Sequence, residues 1–252
     1  MASGPLWEQY KDQLDALGDA HVNFDPDRSE EYRKDASWHF DEYEVELLSE
    51  PPGPPVKDGP WEMGQQVMRD YRFPDPKIIT GIYYPESPLA ERVMLLRARF
   101  MFFTFYFGVK IGGVTDERRE TEAGPAQIWG YNYQTLQGHF EKGQMNFAIW
   151  KYLDSGRVFF RIHAFSQQDR IPNLLYRAGF KVLGRPLQRY FAHQALKRMK
   201  RFVAEDVAAA RSGKRKQKKE EGPAVQPAGA ERESREQMEK AQAQAAEAPD
   251  TE

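Results

Sequence analysis

The 252-residue chain contains no cysteine. That excludes a disulfide framework, thiolate nucleophiles and Cys-ligated zinc or iron–sulfur sites. A long uncharged apolar run is also missing. The densest stretch, VMLLRARFMFFTFYFGVKIGG, is interrupted by Arg97 and Arg99 and ended by Lys110. Phe100 to Val109 is about half of the roughly twenty residues that a membrane-spanning helix needs. The N-terminus, MASGPLWEQYKDQLDALGD, is charged and has no apolar centre, so it is not expected to be a signal peptide. No G-x-S-x-G elbow, H-E-x-x-H helix, P-loop or G-x-G-x-x-G turn occurs. The five histidines (His21, His39, His139, His163 and His193) show no metal-ligand spacing. Neither a metal nor a cofactor is implied.

Enough apolar material is present for a core: 40% of residues are hydrophobic and 13% aromatic. The formal net charge of -2 conceals an asymmetry. Residues 1–59 carry 5 basic against 15 acidic side chains, whereas residues 60–210 carry 22 against 14. Residues 170–203 hold nine basic side chains and no acid. The plain reading is an acidic N-terminal stretch folded over a basic body. The other is a basic end that meets phosphates.

Residues 1–36 read as an acidic arm. Trp7, Tyr10, Leu14 and Leu17 fall at helical spacing and suit docking on the body. In DEYEVELL, Tyr43, Val45 and Leu47 alternate with glutamates, the period of a half-buried strand. PPGPPVKDGP breaks regular structure, and Pro60 opens a helix over 60–71 with Trp61, Gly64, Val67, Met68 and Tyr71 on one face. KIITGIYY reads as a strand, and the aromatic run 93–113 as a central strand or two. Arg97, Arg99, Met101, Phe103, Phe105 and Phe107 are expected to share one strand face, and Leu96, Ala98, Phe100, Phe102, Thr104 and Tyr106 the other. DERRETEAGP is a polar turn. AQIWGYNYQTL, QMNFAIWKY and GRVFFRIHAF follow as strands joined by short Gly-bearing turns, as in an antiparallel meander. A helix is expected from Pro172, weakened by Gly179 and Gly184. A second starts at Pro186, with Leu187, Phe191, Ala195, Met199 and Phe202/Val203 as its apolar stripe and Arg189, Lys197, Arg198, Lys200 and Arg201 opposite. Residues 37–210 thus form one domain. Residues 211–252 have the composition of a disordered charged tail, with a transient polar helix from Glu231 to Ala246. Within the tail, Lys214 to Lys219 reads first as a solvated charge run. In a eukaryotic cell it would suit nuclear import.

A curved antiparallel sheet with one apolar face needs a cover, and the final amphipathic helix supplies it. The expected class is α+β, a helix-grip fold with a curved antiparallel sheet wrapped on a long C-terminal helix. YNYQTLQGHFEKGQMNF (Tyr131 to Phe147), VFFRIHAFSQQ (Val158 to Gln168) and LGRPLQRYFAHQALKRM (Leu183 to Met199) occur in that order. In these strings the chain resembles the domain of unknown function 1990 family, from about Asp41 to Phe202. Two positions depart from the family pattern: Gly143-Gln144 stands for Gly-Glu, and Ser166-Gln167 for Ser-Arg. The family in turn resembles the START and Bet v 1-like helix-grip superfamily, which includes lipid carriers, hormone receptors, cyclases and some hydrolases. The resemblance implies a cavity between sheet and helix and supplies no ligand.

The candidate ligand-binding residues are Arg97, Arg99, Tyr131, Tyr133, Thr135, His139, Arg161 and His163. His139 follows Gly138 in a turn. It suits either a general base at a cavity mouth or a structural cap on a turn with Gly138 at positive φ, and the cap is favoured. Arg161 and His163 contact a ligand only if their face points inward. The more apolar Phe160, Ile162 and Ala164 compete for that face, which favours an outward His163. A buried Arg97 needs an anion, from Glu42, Glu44, Glu91 or a ligand. Three functions stay open. One is a binder of a hydrophobic small molecule or lipid, needing no catalysis. Another is a cyclase- or hydrolase-type enzyme using His139 and Tyr133. The last is a scaffold acting through its charged arm and tail. The expected partners are a hydrophobic ligand and, peripherally, an anionic membrane. Nucleic acid is disfavoured, because the aromatics are more easily placed in the core than on a basic surface. An intracellular, cytoplasmic location is expected.

Overall fold

The computed structural model describes residues 4–100, 103–169 and 174–212, with backbone alone for residue 100 and residues 174–183. The basic run from Lys214, the polar helix expected after Glu231 and the helix start expected at Pro172 lie outside the described residues. Seven strands form one antiparallel sheet: β1 His39–Glu46, β2 Ile79–Ile82, β3 Val93–Phe100, β4 Phe103–Arg119, β5 Ala126–Thr135, β6 Glu141–Tyr152 and β7 Val158–Gln168. Their order is β1-β7-β6-β5-β4-β3-β2. Strands β2 to β7 are a meander, and β1 closes onto β7 at the far edge. The helices are α1 Leu6–Gln9, α2 Lys11–Gly18, α3 Ser29–Tyr32, α4 Pro60–Arg69 and α5 Leu174–Arg211. Helices α4 and α5 cover the concave face, with Val67 and Met68 of α4 and Phe191, Ala195, Met199, Val203 and Val207 of α5 in the main core. This is the expected helix-grip arrangement.

Helix α4 shows how local chemistry sets this packing. Pro60 sits in its first turn, where no N–H is needed. The Glu50 carboxylate accepts the Trp61 N–H at 2.8 Å, so a residue from outside the helix caps it. Gly64 lets the helix settle on β6, since a Cβ there would lie 2.8 Å from Ile149 Cδ1. At the other end Tyr71 takes φ 50°, the Tyr71 N–H bonds Met68 O and the Arg72 N–H bonds Val67 O. That closes the helix in a Schellman turn without glycine. Glu50 also meets Lys151 Nζ at 2.6 Å, and both side chains are fully buried.

Acidic residues of β1 pair with basic residues further along the chain. Asp41 pairs with Arg185 (2.6 Å), Glu44 with Arg161 (3.0 Å) and Glu46 with Arg157 (2.8 Å). Leu6, Tyr10 and Leu14 pack with Ile82 and Leu95 in a second apolar cluster. Helix α2 therefore covers the outer face of β2 and β3, opposite the face that α4 and α5 cover.

Three sequence expectations need correction. The aromatic run takes its two-strand form, a hairpin with Phe100 opposite Phe103, so Arg97 does not share a face with Phe103, Phe105 and Phe107. The reversal changes parity: Leu96 and Ala98 share the concave face with Phe107 and Phe105, and Arg97 faces the other way, opposite Tyr106. The polar segment after Asp116 is not all turn. Strand β4 continues to Arg119, because β5 is long enough to pair with it to the end. The C-terminal segment is one helix, and Pro186 lies inside α5. A proline there removes a helical N–H. Side-chain bonds to the sheet on both sides of Pro186, from Arg185 and Gln188, hold the axis through it.

Candidate functional site

The space between sheet and α5 is filled at one end and open at the other. At the filled end, Phe73 stands 4.8 Å from Phe147 and 5.4 Å from Phe160, ring centre to ring centre. Toward the other end lies a cavity of about 360 Å³. Its wall is mainly apolar, built from Phe103, Phe105, Phe107, Phe140, Phe191 and Ala192 among others. Alternation along the strands puts these rings there. Phe103, Phe105 and Phe107 occupy every second position of β4, and Leu96 and Ala98 face them across β3. Phe140 crosses from the β5–β6 turn to meet Phe105 and Phe107 at 5.6 and 5.0 Å. Phe103 stays 47% exposed and marks the rim.

One part of the wall is polar. Asp41 (β1), Glu141 (β6), Ser166 (β7) and Gln188 (α5) meet there. Arg185 holds Asp41 through two bonds of 2.6 and 2.8 Å and donates at 2.9 Å to Gln188 Oε1. Gln188 Nε2 in turn contacts both Glu141 oxygens at 2.5 Å. The chain Asp41–Arg185–Gln188–Glu141 ties α5 to β1 and β6. Glu141 is half-buried in the wall, and burial raises its carboxyl from 4.5 to about 7, against the lowering effect of the Gln188 bond and the Arg185 charge.

His139 lies beside this carboxyl in sequence and lines the same cavity. Gly138 takes φ 87°, as the turn requires, and His139 Nδ1 accepts the Glu141 N–H at 3.0 Å. Its ring rests on Phe107, 4.5 Å between centres. Burial lowers its pKa to about 4, so the imidazole is neutral at neutral pH and its Nδ1 is engaged as an acceptor.

Of the eight candidate residues, Tyr133, Thr135, His139 and Arg99 come together around the cavity. The Tyr133 hydroxyl contacts Met145 Sδ at 3.5 Å, and burial pushes its pKa up, so it remains a neutral phenol. Thr135 is committed to the wall: its hydroxyl bonds Asn23 Oδ1 at 2.6 Å and accepts the Gly143 N–H at 2.9 Å. Arg99 lies at the rim, at the end of β3. The other four are not in the cavity wall. Tyr131 is sealed in the core and donates to Met68 O at 3.0 Å. Arg97, 2% exposed, is on the outer side of β3 because of the hairpin reversal. Arg161 lies on the outer face of β7, its guanidinium 4.3 Å from the Trp150 ring centre. His163 is on that face too, with its ring Nδ1 3.2 Å from Asn146 Nδ2. Asp41, Glu141 and Gln188 were not singled out by the sequence. The signal was present. Glu141 shares its strand face with Met145, Phe147 and Ile149, and Asp41 shares its face with Tyr43 and Val45.

The family model described as a domain of unknown function (DUF1990) matches residues 27–198. The chain belongs to this family. Three solved structures are similar to it in outline. Norcoclaurine synthase from Thalictrum flavum in complex with dopamine and hydroxybenzaldehyde gives a TM-score of 0.44 at 8% identity, over 67% of this chain and 87% of that one. Ara h 8.0201 gives 0.36 at 13%, over 67% and 99%. TTHA0849 from Thermus thermophilus gives 0.41 at 9%, over 66% and 98%. Likenesses at this level carry no argument about chemistry. No curated protein matches the chain in sequence. At the two departures from the DUF1990 pattern, Gln144 bonds Gln134 and Asn146, and Gln167 bonds Ser37. Among the described residues no helix is long and apolar enough to cross a membrane, and no cluster of His, Asp and Glu could hold a metal ion.

Proposed function

We propose that this DUF1990 protein binds a hydrophobic small molecule between the concave face of its sheet and α5. The observation that carries the reading is the cavity of about 360 Å³, within the range of small-molecule sites and lined mainly by phenylalanine and aliphatic side chains. Unfilled apolar space costs stability. A guest would recover that loss. Arg185 and Gln188 clasp α5 to the sheet beside the polar part of the wall, where loosening them would admit a guest.

The test is a titration with the uncharged fluorescent probe N-phenyl-1-naphthylamine, displaced by octanol. One site with displaceable signal is expected. Ala192→Phe on α5 and, independently, Ala164→Phe on β7 fill the cavity from opposite walls and should abolish the signal with the fold retained by circular dichroism. Undiminished binding in both folded variants contradicts the reading. Removing residues 213–252 should leave the titration unchanged. A loss would favour a role carried by the tail.

A second reading has one observation behind it. A carboxyl with a pKa of about 7 can hold or release a proton at neutral pH, so the same cavity suits acid–base chemistry. Glu141 fits that role better than His139, whose Nδ1 is engaged and whose pKa is low. Turnover of a captured ligand that Glu141→Gln abolishes, with binding retained, would favour the enzyme over the carrier.

A further inference from the structure

Glu141 is a carboxyl set into the wall of an apolar cavity with one neutral donor on it. A carboxylate offers about four acceptor positions. The single Gln188 Nε2 group serves both of its oxygens at 2.5 Å, and no side-chain cation among the described residues forms an ion pair with it. The nearest guanidinium, Arg185, is committed to Asp41 through both terminal nitrogens and to Gln188 through one of them. Asp41 adds a second negative charge to the same side of the cavity, and it disfavours ionisation of Glu141. His139 is neutral there and Tyr133 is a neutral phenol. Arg99 is on β3, three strands from β6, and is not among the charges that act on Glu141. Arg185 offsets the Asp41 charge, so the polar end of the cavity has the acceptor capacity and the single negative charge of Glu141 to spare, and the rest of its wall is apolar.

We propose that Glu141 anchors a cationic head group, so that the cavity takes an amphiphile carrying a protonated amine at one end and an apolar body at the other. This rests on the binding reading above and names its ligand class. An ammonium donates up to three hydrogen bonds, which suits the acceptor positions that Gln188 leaves open. It would also supply the charge that burial of a carboxylate requires. A fatty acid of the same length would bring a third carboxylate beside Glu141 and Asp41. An alcohol would offer one hydrogen bond and no charge.

Calorimetric titration with octylamine, octanol and octanoate separates these ligands. At pH 8 the amine is protonated, since alkylammonium groups of the lysine type titrate near 10.4, and Glu141 is ionised. Octylamine should bind at least tenfold more tightly than octanol, with octanoate weakest. In Glu141→Gln the amine should fall to the level of octanol while octanol itself is unchanged. In the unaltered protein, lowering the pH from 8 to 5.5 should erase the amine preference as Glu141 takes up a proton, a readout that does not depend on any variant folding. Equal binding of the three at pH 8, or a preference that survives Glu141→Gln, overturns the anchor and leaves the cavity reading standing. Absence of binding by all three overturns both.

Discussion

Replacing Glu141 by Gln should stabilise the protein at alkaline pH. Burial raises the Glu141 carboxyl from 4.5 to about 7. Between those values the folded state binds more protons than the unfolded state, so stability falls as pH rises through this window. At about 1.4 kcal/mol per pH unit, the loss that Glu141 imposes is about 3 kcal/mol, complete above pH 7. Glutamine keeps the size and an acceptor for Gln188 but cannot ionise. Relative to the unaltered protein, Glu141→Gln should therefore gain about 3 kcal/mol on going from pH 4.5 to pH 8, whatever fixed offset the new amide introduces. His139 has the opposite dependence and is common to both proteins, so it cancels in the difference. Urea unfolding curves at half-unit pH steps measure the gap directly. A gap that does not change with pH would show that Glu141 is solvated, and the head-group proposal would lose its basis.

The remaining predictions concern the frame around the cavity. Glu50→Ala strands the buried Lys151 ammonium and uncaps α4, so calorimetry should show a loss of about 3–5 kcal/mol, or roughly 6–20 °C in melting temperature. Lys151→Met should cost less, because Glu50 keeps its bonds from the Trp61 and Val56 N–H groups; equal losses would refute Glu50 as the cap. His139 is held neutral with a pKa of about 4, so its contribution is present above 6.5 and lost as pH falls toward 4. His139→Gln should flatten that acid limb, and an unchanged acid limb would contradict its burial. Tyr131→Phe removes one of the donors to the Met68 carbonyl, which keeps the Tyr71 N–H, and should cost about 0.5–1.5 kcal/mol. It should not alter probe affinity, because Tyr131 is not in the cavity wall.

Much of the architecture is legible in the chain because it follows single-element periodicities. The alternation of Tyr43, Val45 and Leu47 marks β1, Pro60 marks the start of α4, and Phe191, Ala195 and Met199 mark the buried stripe of α5. What escapes depends on relations between elements. The reversal between Phe100 and Phe103 puts Arg97 and Phe103 on opposite faces, and the pattern within one strand does not reveal a reversal. Pro186 signals a break by local chemistry, yet tertiary bonds from its neighbours keep α5 continuous. The site was half visible. His139 attracts notice as a histidine in a turn, whereas Glu141, two residues on, matters because it shares a strand face with Met145 and Phe147. Asp41 and Gln188 join it only through pairing across β1, β6, β7 and α5.

The central claim is that space for a guest remains between the sheet and α5, and xenon probes it most directly. Crystals under xenon pressure should show the gas among Phe105, Phe107, Phe140 and Phe191, since apolar cavities of this kind accept it. Crystals of Ala192→Phe should not. Rings collapsed onto one another with no xenon between them would contradict the account.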